Sequence, residues 1–318
     1  MQLPTFFEGP EKKIELVVAP GGPKLRALGE ATWHRVVELA RAQILSVLRD
    51  ERCDAYLLSE SSLFVYDDHV AMITCGRTRL VEAAEHLVEL IGAEHVALLV
   101  YERKNEHFPE RQPSTFYEDA ERLHALVPGR ALRFGDAHAH HVHVFHSTRP
   151  YEAEANDTTL EILMHGLRPE AAAQFIGIRP PANETIAERT GITKILPGFA
   201  IDEHPFTPAG YSMNALRDGV YYTIHVTPED LGSYVSFETN ADLRGEVDAV
   251  VARVLDVFRP TSFDVVTFAP AGTEPEEVRP STFVVRDRVA SSFGGYDVDF
   301  RHFSMPRDGV RAPVELPL

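Results

Sequence analysis

The sequence predicts an α+β fold in which a few long helices pack on the outer faces of two antiparallel sheets. Two observations carry this. Apolar runs come in pairs around polar turns, once at 63–75 and again at 206–229, and such pairs read as β-hairpins. Before, between and after them lie segments of helical spacing, anchored by Trp33, Leu80 and Leu243. At 318 residues the chain can bury a large core, and 44% apolar with 25% charged residues is ordinary for a globular protein.

Composition excludes several function classes. The formal charge of −17 repels nucleic acid and favours small cations. Only Cys53 and Cys75 are present, too few for a thiolate zinc site, so Cys75 is a buried filler or a reactive thiol. No apolar stretch approaches the roughly 20 residues that span a bilayer. The opening Met1-Gln2-Leu3-Pro4 shows no basic-then-apolar leader, so the expected location is cytoplasmic.

Taken in order, residues 6–18 set Phe6-Phe7 beside alternating carboxylates before Leu16-Val17-Val18, which reads as an edge strand with a charged, solvated face. After Pro20-Gly-Gly-Pro23, the spacing of Trp33, Val36, Val37, Ala40, Ile44 and Leu48 predicts one helix. Asp54–Leu58 is a strand leading into Glu60-Ser61-Ser62, followed at once by the apolar run Leu63–Tyr66. A serine hydroxyl where a strand enters a core can be held against its own preceding carbonyl. That suits an N-to-O acyl shift, in which Ser61 turns the Glu60 amide into an ester; β-elimination and hydrolysis then leave a pyruvoyl group. A plain polar turn accounts for the same nine residues. The chain turns at Asp67-Asp68 and returns as Val70–Gly76, which brings Cys75 back to the level of Ser61. Thr78 is placed to cap a helix from Leu80 that stops at Gly92.

Residues 101–116 read as a charged loop and Phe116–Leu126 as a short helix ended by Pro128-Gly129. Five histidines between His138 and His146 can bind a transition metal. Val142 and Val144 alternate with His141 and His143, however, and no acid or thiol is spaced as a partner, so the segment reads as a strand and no metal is expected. Thr158-Thr-Leu-Glu161 matches a capping box, with Asp157 at a helix start, and Ile192–Leu196 reads as a strand. Ser212 and His225 flank a turn at Asp218-Gly219, 13 positions apart; Ser61 and Cys75 lie 14 apart, which hints at an internal duplication. A serine near a histidine suggests a hydrolase, yet there is no Gly-x-Ser-x-Gly elbow and no third member. A last long helix (Leu243 to Phe258), strands at 263–268 and 282–285, and a polar tail complete the chain.

Together Phe6 to Glu15, Tyr56 to Gly76, Tyr101 to Asn105, Leu160 to Leu167, Gly191 to Asp202 and Phe206 to Asn240 resemble the eukaryotic-type, pyruvoyl-dependent S-adenosylmethionine decarboxylases. The resemblance implies a single domain over 1–318 forming a four-layer α-β-β-α sandwich of two related halves, cut into chains 1–60 and 61–318. It makes Glu60–Ser61 the cleavage bond, Ser61 the pyruvoyl precursor, and Ser212 with His225 the processing pair. Cys75 becomes the acid that protonates the substrate, and Glu8 and Glu11 assist processing or placement. Phe7 and Phe206 stack on adenine, Glu229 binds the ribose hydroxyls, and Leu58 touches substrate. The pyruvoyl ketone would act as electron sink for the pair left by CO2, as pyridoxal phosphate does elsewhere, with no metal. A sulfonium between aromatic faces gains cation–π attraction. Glu15, Asp157, Thr159, Glu161 and Glu238 match the acidic cluster that binds putrescine in animal members, so putrescine is a possible activator and a homodimer of cleaved units a possible assembly.

Departures from the animal pattern are Ala209 for a cysteine, Ile73 and Thr5 for polar residues, Val100 for an aromatic, a shorter Ser212–His225 turn, and the histidine-rich strand. The rivals are a pyruvoyl decarboxylase of ornithine or arginine, which has no use for Phe7, Phe206 and Glu229; a non-processing regulatory paralogue, against which Ser61, Cys75, Ser212 and His225 all stand; and a histidine-rich metal-binding protein, which rests on residues 138–146 alone.

Overall fold

The computed structural model describes residues 6–177, 184–229, 231–306 and 309; Thr5 lies outside them. Strand β1 (Lys12–Val18) shows why layers form. Ile14 and Leu16 turn to a helix-covered core, while Lys13 and Glu15 between them face the other way. It is not the solvated edge strand expected: β1 lies mid-sheet, hydrogen-bonded to β5 (His69–Thr74) and β6 (Val96–Lys104). Lys13 is tolerated there because it meets Glu161 and Glu238 from the facing sheet, with Glu15 of its own strand 4.0 Å away.

The first sheet runs β2 (Ile44–Arg49), β3 (Asp54–Leu58), β4 (Ser61–Val65), β5, β1, β6, β8 (His141–Ser147), β7 (Gly129–Gly135). The second runs β10 (Ala200–Pro205), β11 (Tyr211–Arg217), β12 (Val220–Thr227), β13 (Tyr234–Thr239), β9 (Thr159–His165), β14 (Ser262–Pro270), β16 (Tyr296–Ser304), β15 (Val284–Phe293). Adding eight to each strand number of the first order gives the second, so the duplication extends to every strand.

Helices α1 (Glu30–Leu39), α2 (Leu80–Ile91) and α3 (Phe116–Leu126) cover the first sheet, where Trp33, Leu87 and Leu123 join Leu16, Leu63 and Met72. The short α4 (Pro169–Ala172) and α5 (Ile186–Thr190), with the long α6 (Val247–Phe258), cover the second through Ala187, Val254 and Phe258. Each fully buried side chain of this kind contributes about 1.5–3 kcal/mol. The inner faces meet in two apolar patches. Val100 and Val144 pack with Leu163 and Val266 in one, and Phe64 stacks on Tyr221 at 3.9 Å in the other. The result is the α-β-β-α sandwich. Among the described residues no helix is long and apolar enough to cross a membrane.

Several local expectations are corrected. The helix from Trp33 stops at Leu39 because Arg41 turns to φ 62°, and Ile44–Arg49 becomes β2. Thr158–Glu161 caps no helix: Thr159–His165 is β9, flanked by β13 and β14 and buried along its whole length. Ile192–Lys194 is a single 3-10 turn, begun by Gly191 in the left-handed conformation. Thr78 donates to Thr74 Oγ1 instead of capping α2. Tyr101–Lys104 ends β6 instead of opening a loop. The expected tail forms the β15–β16 hairpin, which hides Phe293, Tyr296, Val298 and Phe300 while leaving charged Arg286 on the outside.

Candidate active site

The β3–β4 hairpin sets the site. Leu58 pairs with Ser61, leaving Ser59 and Glu60 as a two-residue turn. Ser61 carries φ 134°, a region that costs a side-chain-bearing residue about 1–3 kcal/mol, so neighbours must hold it. They do so from β5. Ser61 pairs with Thr74, and the next residue, Cys75, donates its N–H to the Glu60 carbonyl at 2.9 Å. The Cys75 thiol reaches the same oxygen at 3.5 Å. Two donors thus converge on one carbonyl oxygen, the arrangement that stabilises an oxyanion. Ser61 Oγ points to Glu11 Oε1 at 3.4 Å.

Ser212 and His225 come from the other sheet, directly paired across β11 and β12, with Ser212 Oγ 3.0 Å from His225 Nδ1. His225 Nε2 lies 2.8 Å from Thr223 Oγ1 and 3.2 Å from Ser62 Oγ. Ser62 also donates to Asn214 Oδ1 at 2.6 Å, which ties the two sheets together beside the turn. Burial holds His225 down to about 3, so its ring is neutral. Asn214 and Thr223 escaped sequence reading; each stands two positions from Ser212 or His225, the spacing that shares one face of a strand.

Glu11 is enclosed. Burial lifts its carboxyl to about 8, opposed by the Ser236 hydroxyl at 2.8 Å and aided by Glu238 and Glu161. It is therefore largely protonated at neutral pH. Burial, with Glu11 and Glu60 nearby, also raises the Cys75 thiol well above its usual range. Glu8 does something else. Burial pushes it up, but the His107 ring and the N–H groups of His107 and Phe108, at 2.7 and 3.0 Å, outweigh that and hold it low. Its own carbonyl accepts from Gly76, so Glu8 clamps the N-terminal segment beside Cys75.

A cleft of about 520 Å³ opens in front of the turn, lined by Phe7, Glu60, Cys75, Phe206, Ser212, His225 and Glu229. Phe206 starts a loop closed by its N–H on Gly210 O at 2.9 Å, and Gly210 at φ 114° makes that return possible. The Phe7 N–H reaches Glu229 Oε1 at 3.4 Å. Leu58 is not part of the cleft wall; its side chain is buried in the helix-side core.

The expected diamine cluster holds a cation of the chain's own. Lys13 Nζ lies 2.9 Å from Glu161, 3.1 Å from Glu238 and 4.0 Å from Glu15, all between the sheets. Its ammonium is held well above the ordinary lysine range: burial opposes the charge, but the surrounding carboxylates, Glu161 first, outweigh it. Asp157 instead accepts from Tyr296, and Thr159 is a buried strand residue beside the cluster.

A family model described as Adenosylmethionine decarboxylase matches residues 4–304. The chain is 33% identical over 320 residues to the S-adenosylmethionine decarboxylase proenzyme of Dictyostelium discoideum, covering 92% of this chain and 84% of that one. To the proenzyme of the same name from Xenopus laevis it is 34% identical over 320 residues, covering 94% and 95%. In fold it resembles the crystal structure of the Trypanosoma brucei AdoMetDC-delta26 monomer, with a TM-score of 0.60 and 24% identity over 77% of this chain and 99% of that one. With its paired sheets, its strained Ser61 and these likenesses, the chain belongs to the adenosylmethionine decarboxylase family.

Proposed function

We propose that this chain cuts itself between Glu60 and Ser61, converts Ser61 to a pyruvoyl group and decarboxylates S-adenosylmethionine, the supply step for spermidine and spermine synthesis. The observation that carries the reading is the Glu60 carbonyl, gripped by the Cys75 N–H at 2.9 Å and its thiol at 3.5 Å, one bond from a serine held at φ 134°. Ser61 Oγ attacks the Glu60 carbonyl carbon while both donors take the charge that grows on its oxygen. The C–N bond breaks, the nitrogen takes the hydroxyl proton, and an ester remains. The neutral His225, steadied by Ser212, removes the Ser61 α-proton, which expels the Glu60 carboxylate. Water then replaces the freed amine as ammonia. The word proenzyme in the relatives' names agrees with such a cut.

The residues present fit that group: a buried serine at the head of a strand, next to Glu60 and Cys75, which line a cleft of about 520 Å³. Once formed, the pyruvoyl ketone supplies an electron sink for the pair left by CO2. The chain does the rest. Phe7 and Phe206 offer ring faces for adenine and the sulfonium, and Glu229 an acceptor for ribose hydroxyls. Cys75, kept as a thiol by burial, is the acid that returns a proton to the substrate carbon. We read Lys13 as doing from within what a bound diamine would do, so millimolar putrescine should leave the cutting rate unchanged.

Intact mass under denaturing conditions tests the proposal. Chains 1–60 and 61–318, the second with a blocked N-terminus, are expected, and CO2 should be released from S-adenosylmethionine but not from ornithine or arginine. A single uncut chain after long incubation would point to a regulatory paralogue and void the roles assigned above.

A further inference from the structure

The histidine run contributes to a cluster that its own spacing does not reveal. His140 immediately precedes β8 in the first sheet, while His165 closes β9 and Asp264 lies in β14 of the second. One ligand atom from each lies within 4.8 Å of the others. His165 Nε2 is 3.5 Å and His140 Nδ1 4.0 Å from Asp264 Oδ2. A fourth ring, His302 of β16, grips the other carboxylate oxygen, Nδ1 to Oδ1 at 2.6 Å, and stacks on His140 at 4.3 Å.

The two ring nitrogens lack aligned hydrogen bonds, and the carboxylate oxygen they face is met by the Lys104 ammonium at 2.8 Å. His140 Nδ1, His165 Nε2 and Asp264 Oδ2 are all buried and make no hydrogen bond, and His165 and Asp264 are only 9% and 0% exposed. One such orphan in a core is costly. Two of them converging on a carboxylate oxygen form a ligand set. We propose that His140, His165 and Asp264 bind a divalent transition metal, with zinc the best match, and that His302 orients Asp264 for it.

Imidazole and carboxylate donors suit Zn2+, Co2+ and Ni2+ better than Ca2+ or Mg2+. Donors about 2.1 Å from a tetrahedral zinc sit about 3.4 Å apart, so the two distances to Asp264 need to close by less than an ångström. Burial keeps both rings neutral, at about 2 for His140 and about 4 for His165, as ligands must be. The His140 side chain is 29% exposed, which leaves a way in and room for a water as fourth ligand. A carboxylate whose far oxygen is held by His302 is the outer support that metal ligands use.

Lys104 is the competitor. Its Nζ lies 2.8 Å from Asp264 Oδ2, an ion pair without hydrogen-bond alignment, and it also bonds Asn105 Oδ1 at 2.7 Å and His141 O at 3.1 Å. Metal entry therefore displaces one contact of an ammonium that keeps two others. Because the ligands come from both sheets, the metal pins them together.

The test is titration of untagged, chelator-treated full-length protein with zinc sulfate by calorimetry, and with Co2+ by visible absorption. A single equivalent of zinc, a four-coordinate Co2+ band and a rise in Tm with zinc are expected. His165→Ala and Asp264→Asn should each weaken binding at least tenfold and abolish the band, while His138→Ala with His141→Ala should change neither. Lys104→Gln should tighten binding about tenfold, the order of an outer-support effect; this opposite sign separates the site from mere misfolding. No stoichiometric zinc in the parent protein, binding retained by His165→Ala, binding lost with His138 and His141, or weaker binding by Lys104→Gln would each overturn the proposal.

Discussion

Lys13 offers the sharpest quantitative test of the buried polar layer. Lys13→Met keeps most of the stem and removes the charge that Glu161, Glu238 and Glu15 share at 2.9, 3.1 and 4.0 Å. Removing one partner of a buried ion pair costs about 3–5 kcal/mol, because the other charge stays buried and unanswered. The carboxyls can escape by taking protons. Burial, opposed by Lys13, already lifts Glu161 to about 7, and without the lysine it rises further. Such groups hold protons that the unfolded chain has released from about pH 4.3 upward, so their contribution is lost as pH climbs through the folded value. The variant should therefore be only slightly weakened near pH 5.5 and show the full penalty near pH 8. Urea midpoints at both pH values, in an uncut Ser61→Ala background, measure this with m unchanged. Millimolar putrescine should recover part of the loss in the variant and do nothing for the Lys13 protein. Equal midpoints near pH 8, or a diamine effect as large with Lys13 present, would refute the reasoning.

Ser61→Ala should stay a single chain by mass and show no decarboxylase activity. Cys75→Ala should still cut, since the backbone N–H donor remains, but up to about a hundredfold more slowly, the lower end for losing an oxyanion donor; the time course of fragment 61–318 reads this. Glu11→Gln should flatten the loss of stability between about pH 5 and 8, because the folded parent carboxyl, at about 8, keeps a proton that the unfolded chain has released from about pH 4.3 upward, and the amide does not titrate. Phe7→Ala and Phe206→Ala should each raise the KM for S-adenosylmethionine on the order of tenfold, as expected for loss of base–aromatic stacking, while leaving the cutting rate within twofold; a slower cut with unchanged KM would move both residues out of the substrate role.

What could be read from the sequence was local. The helix at Phe116–Leu126, the turn at Asp218-Gly219, the facing of Ser212 and His225 and the return of Cys75 to the neighbourhood of Ser61, where the structure pairs Thr74 with Ser61 and Cys75 with the Glu60 carbonyl, all rest on patterns within 15 residues. What escaped was charge buried by distant partners. Arg103 is buried because Asp119 lies 2.8 Å away, Lys104 because of Asp264 at 2.8 Å, and Lys13 because of Glu161. Without those partners in view, the end of β6 reads as a polar loop and β1 as a wet edge. The same blindness hid the company of His140, whose neighbours His165, Asp264 and His302 are remote in sequence and meet only when the sheets close. Nor could the sequence show that the Glu8 carboxylate accepts from the N–H groups of His107 and Phe108, about a hundred residues away.

The position of β1 has a consequence for the history of the molecule. The proposed cut between Glu60 and Ser61 would open one tight turn, yet the first piece would remain threaded through the second: β1 lies between β5 and β6, and β3 is zipped to β4. Neither piece could leave without splitting the sheet in its middle, so the severed protein would be expected to hold together. Assembly is another matter. Before the cut, β1 reaches its slot on a tether; afterwards two separate chains must find each other, without the roughly millimolar effective concentration a short linker gives. Precursor unfolded in urea should regain its shape, and mature protein should not. The proposed cut would thus work as a ratchet, turning a fold reached reversibly into one that persists only because it is never undone.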